Sequence, residues 1–380
     1  MFEMCSSLAQ TASAVALDGL VDEVRMLSPK RQLVDPEMVA AAARAWSPNT
    51  IRAFLSDLRL WDHWCRLSAV QTGAATAQTV AAYVRALSGE DVASDAARAV
   101  EIRAAATIAR YLVHIGWAYR MAGREDPVAS PLVRLELKAA RKKLGTRQIQ
   151  AKGIRFKGDD IDLDGPPSGI CLATLIKACR KDMMGARDEA LLRVAYDTGC
   201  RRSELVAIDV QHIDGPDGEG AGVLLIPRSK TDREGQGAHA YLSPATMRAI
   251  ERWRDLGHID KGPLFRRVET HFDGSVRTVG QGALYGGTVT LIYKRLVRRA
   301  FDKKLLGAMG EKDLERWVAA VSSHSIRVGV AQDNLAAGEA LPAIMQAYRW
   351  RNADSVMRYG AKLVAKSGSS ARLAKRFADG

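Results

Sequence analysis

Residues 324–360 read HSIRVGVAQDNLAAGEALPAIMQAYRWRNADSVMRYG. The apolar positions of this run recur at helical spacing, and His324 and Arg327 stand at i and i+3, so a helix places both on one face. Trp350 follows the apolar run Leu341–Ala347, and Tyr359 comes nine residues later on a second helical run. The assortment suits a phosphodiester. Arginine pairs bidentately with phosphate oxygens, histidine moves a proton near neutral pH, and tyrosine supplies a nucleophilic oxygen. No carboxylate cluster with metal-ligand spacing accompanies them, so neither a metal nor another cofactor is expected.

Composition agrees with a polyanionic partner. The 380 residues exceed the usual single-domain size, which makes two domains the expectation, and 47% hydrophobic residues suffice for both cores. A formal charge of +13 and a pI near 9.6 point to nucleic acid or an anionic membrane surface. Membrane association is the weaker option, because no apolar run approaches the roughly 18–20 residues of a spanning helix. The N-terminal MFEMCSSLAQTASAVALDGL has no basic leading segment and does not read as a signal peptide. Five cysteines without a CxxC pair read as reduced structural thiols, and the expected location is the cytoplasm, with the nucleoid.

Outward from the opening stretch, the chain sorts into a leader (1–35), a helical domain (36–145), a linker (146–168) and a second domain (169–380). Ser47-Pro48 is a helix start, and the run to Cys65 puts Ile51, Phe54, Leu58 and Trp61 near helical spacing. Further helices are expected over Ala77–Leu87, over about Ser94–Ala122 as one element, and over Pro131–Leu144. In the second domain, helices over Ile170–Lys181 and Gly185–Thr198 precede a hairpin of Gly222–Pro227 and Ala238–Leu242. The polar turn RSKTDREGQG joins those strands. The fold class is therefore mainly α with a small β-sheet in the second domain (α+β).

Taken singly, these signals are weak. A second HxxR pair, His63–Arg66, sits within an amphipathic helix and reads as structural. The segment Thr198–Leu205 (TGCRRSEL) follows an apolar helix, and an arginine fixed after its glycine would be a rigid donor fork. By itself that motif fits an exposed helix-start arginine as well. Lys230 could be a solvated turn lysine, and Trp350 and Tyr359 could be packing aromatics.

In order, however, TGCRRSEL, RSKT, HSIR and SVMRYG resemble the boxes of the tyrosine site-specific recombinases, or phage-integrase family, and most of all its Cre-like members. The resemblance extends through WSPNTIRAFLSDLRLWDHWC and ATIARYL and covers roughly residues 36–365. It implies that Arg201, Lys230, His324, Arg327, Trp350 and Tyr359 occupy the active-site positions, with Glu204 supporting the first arginine. One departure is visible: Tyr348-Arg349 precede the tryptophan where relatives often carry small residues. Tyr348 is therefore a rival nucleophile, though its place before the tryptophan does not fit the family order.

The resemblance further implies a two-domain, C-shaped clamp on duplex DNA. Thr50, Arg52, Arg59, Arg103 and Arg110 are the candidate contacts of the first domain. Arg266, Arg267, Lys294 and Arg298 are those of the second. The expected partner is double-stranded DNA with inverted repeats, bound by a homodimer at each site and a homotetramer in synapsis. The basic tail Ala371–Phe377 is expected to dock on a neighbouring protomer. The alternatives are a non-catalytic DNA-binding protein of the same fold, or an enzyme resembling telomere resolvases or type IB topoisomerases.

Overall fold

The computed structural model describes residues 35–146, 150–158, 166–227, 237–367 and 369–378. The chain divides into two compact units, Met1–Ile149 and Gln150–Gly380. It is mainly helical with small antiparallel sheets, as expected. No helix among the described residues is long and apolar enough to cross a membrane.

Among its described residues the first unit is all helical: α1 (Pro36–Ala45), α2 (Pro48–Leu67), α3 (Ala77–Ser88), α4 (Asp95–Arg98), α5 (Ala105–Met121) and α6 (Pro131–Leu144). Ser47 starts α2 as its sequence suggests, its Oγ accepting from the Thr50 N–H at 3.2 Å. The apolar stripe of α2 then buries Phe54, Leu58, Trp61 and Trp64 against Tyr83 of α3 and Ile108, Leu112 and Ile115 of α5. Trp61 and Trp64 both sit 5.3 Å from the Tyr83 ring, so aromatic packing centres this core. Asp57 is buried on the same helix. It accepts from Arg110 Nε and Nη2 at 2.9 and 3.0 Å, and its other bond is to His114 Nδ1 at 2.7 Å.

One helix expected over Ser94–Ala122 is two, α4 and α5, separated by residues without helix. The Arg103 N–H donates to the Leu87 carbonyl at 2.9 Å, and the Ile102 side chain covers Gly89. These tertiary contacts override a helical pattern that is unbroken in the sequence. Arg103 therefore lies outside the helix that carries Arg110.

The second unit contains α7 (Leu172–Ala178), α8 (Met183–Thr198), α9 (Arg202–Val206), β1 (Ile213–Asp214), β2 (Gly222–Ile226), β3 (Ala238–Leu242) and α10 (Pro244–Gly257). It continues through β4 (Arg266–Thr270), β5 (Val276–Ala283), α11 (Gly286–Asp302), α12 (Glu311–Ala320), α13 (Ser325–Ala337), α14 (Leu341–Tyr348), α15 (Ala353–Ser367) and α16 (Ser369–Ala378). β2 pairs antiparallel with β1 and β3, and alternation turns Leu224 and Ile226 into the core. The β4–β5 hairpin was not expected. Asp273-Gly274 at its tip, with Gly274 at φ 79°, is the turn signal that marks it.

The residues after 149 are not a free tether where they are described. Ile154 is fully buried and its N–H donates to the Ser325 carbonyl at 2.9 Å, beside His324. A Cβ at Gly329 of α13 would run into the Ile154 carbonyl, so this glycine lets the segment lie against the helix.

Candidate active site

Three local structures converge in the second unit: the turn between α8 and α9, the start of α13, and the junction of α14 and α15. In the first, α8 ends on Gly199 in the left-handed region (φ 56°), and Arg201 becomes the cap residue of α9. Glu204, one turn on, accepts from the Arg201 backbone N–H at 2.9 Å and from Arg201 Nη1 at 2.7 Å. The Glu204 side chain is almost wholly buried, so the carboxylate fixes Arg201 through two charge-assisted bonds of its own turn.

The second structure places His324 at the cap of α13 and Arg327 within its first turn. Arg327 is only 2% exposed, and its Nη1 donates to the Gly199 carbonyl. Its Nη2 is buried without a hydrogen-bond partner. Burial pushes the guanidinium down to about 10, and the neighbouring Arg201 charge acts in the same direction. The group stays protonated at neutral pH. His324 is solvent-accessible, yet loss of hydration within the site holds its imidazole below the ordinary value, helped by the charges of Arg327 and Arg201. The neutral, proton-accepting form is therefore favoured.

The third structure turns from α14 to α15. Trp350 is buried, its backbone N–H donating to the Met345 carbonyl at 3.0 Å, and Arg327 lies over its ring at 4.4 Å from the centroid. Tyr359, half-buried on α15, has its ring 6.4 Å from that of Trp350. Gln332 of α13 donates to the Tyr359 carbonyl at 3.1 Å, which ties the tyrosine helix to the His-Arg helix. Tyr348 also borders the tryptophan, its ring 5.7 Å from that of Trp350. Its ring packs on Gly199, and burial raises its phenol, with the Asp197, Asp333 and Glu339 carboxylates pushing the same way. Burial therefore opposes ionisation of Tyr348, against a hydrogen bond to Asn334 that favours it.

Sequence reasoning missed Arg349. It caps α14 in the left-handed region (φ 58°), a conformation that costs a side-chain-bearing residue about 1–3 kcal/mol and that glycine adopts freely. Its side chain is 9% exposed, and its Nη2 lies 2.9 Å from the Thr198 carbonyl and 3.8 Å from Glu204 Oε2. Nothing in the residue type signalled this; only its backbone conformation sets it apart. Arg201, Arg327 and Arg349 together surround one carboxylate, which leaves the pocket with excess positive charge and unpartnered donors. Such a site suits an anion bound through several oxygens. Lys230 lies outside the described residues, as does the leader up to residue 34.

The remaining basic candidates separate by environment. Arg52, Arg59 and Arg267 are exposed and Lys294 half-buried, while Thr50 Oγ1 shares a 2.9 Å bond with Ser47 Oγ. Arg103 pairs with Glu101, Arg110 with Asp57 and Arg298 with Glu315, so their charges are partly met within the protein. Arg266 is the correction. It is buried, and its guanidinium donates to the Pro263 and Lys261 carbonyls and to Gln281 Oε1, which makes it a structural brace of the β4 entry.

Residues 171–365 match the phage integrase family. Over 372 residues, 96% of either chain, the sequence is 28% identical to the recombinase Cre of Escherichia phage P1. An integrase/recombinase XerD homolog of Selenomonas ruminantium is 25% identical over 82% of this chain and 81% of its own. The fold resembles that of the XerH site-specific recombinase, solved in a post-cleavage complex with palindromic difH substrate. That likeness has a TM-score of 0.56 at 13% identity and covers 93% of this chain and 95% of the other.

Proposed function

Because the chain belongs to the phage integrase family and is a Cre-like, tyrosine-type site-specific recombinase, we propose that Tyr359 is the nucleophile that cuts and rejoins duplex DNA. The phenol oxygen attacks the scissile phosphorus in line, the 5′-oxygen leaves, and a 3′-phosphotyrosyl bond forms. Arg201 and Arg327 hold the non-bridging oxygens and meet the charge that grows in the transition state. Glu204 orients Arg201, and Trp350 backs Arg327. His324, favoured in its neutral form, takes the phenol proton or bonds the phosphate. Lys230 protonates the departing 5′-oxygen. The phosphotyrosyl bond conserves the energy of the phosphodiester, so attack by a 5′-hydroxyl reseals the strand without ATP.

The observation that carries this reading is the buried Arg327 guanidinium, with an unpartnered Nη2, beside Arg201 and over the Trp350 ring, which lies 6.4 Å from that of Tyr359. The helical unit provides a second DNA grip through Thr50, Arg52, Arg59, Arg103 and Arg110. Arg267, Lys294 and Arg298 contact phosphates from the second unit. Two protomers occupy inverted repeats, and two such sites synapse in a tetramer whose protomers exchange the Ala371–Phe377 tail. Strands then exchange through a Holliday junction, in the cytoplasm at the nucleoid.

The test uses duplexes recovered by binding from a randomised pool. Incubating the full-length protein with two copies on separate molecules should give recombinant products and trapped four-way junctions. Relaxation of one supercoiled duplex without exchange between two would instead assign a topoisomerase-like role.

A further inference from the structure

We infer that Arg349 is a positioning residue for strand cleavage, tying the segment that carries Trp350 and Tyr359 to the turn that presents Arg201. The inference rests on the roles proposed for Arg201 and Tyr359. Arg349 Nη2 donates to the Thr198 carbonyl at 2.9 Å and lies 3.6 Å from Cys200 Sγ and 3.8 Å from Glu204 Oε2. These three partners bracket the whole turn from the end of α8 to the carboxylate that orients Arg201. Gly199, between the first two, receives Arg327 on its carbonyl. The arginine immediately before Trp350 thus reaches the same Thr198–Glu204 turn that holds both other guanidinium groups.

Two features disfavour Arg349 as mere packing. Its backbone is left-handed, where glycine would be unstrained, and its Nε and Nη1 are buried without partners. A charge kept in such a place needs a compensating contact, and the Thr198–Glu204 turn is the one it makes. Glu204 then serves two guanidinium groups, with Oε1 on Arg201 and Oε2 facing Arg349. Oε2 also accepts the Arg201 backbone N–H, so loss of Arg349 removes a neighbouring charge from that oxygen and unties the tryptophan segment from the turn. Arg201 and Tyr359 would then approach the phosphate from supports that are no longer joined here.

The experiment measures single-turnover cleavage by the full-length protein on a duplex selected by the wild type. Arg349→Gly accepts the left-handed backbone freely and removes the tie. It should cleave about 10–100-fold more slowly, the loss expected of a small misplacement, with duplex affinity unchanged. Arg349→Lys, which keeps the charge but loses the planar donor fork, should fall between the two and carries the test if Arg349→Gly does not fold. In a Glu204→Gln background, Arg349→Gly should cost much less than it does alone, whereas in a His324→Gln background it should cost its full factor. Wild-type cleavage rates in Arg349→Gly, or an undiminished loss in the Glu204→Gln background, would overturn the inference and leave the functional reading intact. Absence of cleavage by the wild type would instead overturn that reading, and this inference with it.

Discussion

The Arg327 guanidinium carbon stands over Trp350, 4.4 Å from the ring centroid, while its Nη1 is held by the Gly199 carbonyl. The indole therefore does two things. It excludes water from one face of a buried cation, and its π-face returns part of the stabilisation that desolvation removes. The same ring stands 6.4 Å from that of Tyr359, so the residue that steadies the arginine also sets the wall beside the tyrosine.

Trp350→Phe keeps an aromatic face and should reduce cleavage modestly. Trp350→Ala opens the pocket: thermal or chemical denaturation should show a loss of about 3 kcal/mol, as for large aromatic truncations in a core. Its cleavage rate should fall well below that of the phenylalanine variant. Equal rates in the two variants would mean that the ring does not support Arg327.

His324 should titrate below the ordinary histidine value in the free protein, because lost hydration and the nearby arginines disfavour its charged form. NMR of the imidazole checks this, and Arg201→Gln should move the midpoint upward by removing one repelling charge. The sign for stability follows. The unfolded chain takes up this proton at a higher pH than the folded one, so acidification through the ordinary value costs stability. That loss from this group ends once pH falls below the lowered folded value.

Arg266 and Arg267 are neighbours with opposite expectations. Arg266→Ala removes a buried brace and should destabilise by about 2–3 kcal/mol while leaving the salt dependence of duplex binding unchanged. Arg267→Ala should leave stability nearly untouched and lower the slope of log affinity against log salt by about 1 if it meets a phosphate. Denaturation and binding over a salt series separate the two.

The adjacency of these two arginines shows what the chain conceals. Both sit in one basic pair, and only the pleat of β4 sends one inward and the other out. The elements around the first arginine were legible because their signals are local: a glycine closing α8 and an acidic residue one turn after Arg201. The division of Ser94–Ala122 was not, since it depends on Leu87 and Gly89 reaching the segment from α3 and its end. Arg349 was illegible for a related reason. Beside Trp350 it reads as a surface cation, and its role appears only when the fold brings Thr198 and Glu204 to it, about 150 residues earlier in the chain. The β4–β5 hairpin carried an Asp-Gly signal that was available and passed over.

The most direct test of the central claim is covalent trapping. Full-length protein is incubated with a selected duplex nicked near the cleavage position, denatured, and digested to identify the peptide that carries the nucleotide. An adduct should form on Tyr359, survive denaturant and disappear in Tyr359→Phe. An adduct that persists in that variant, or one mapped to Tyr348, would contradict that claim.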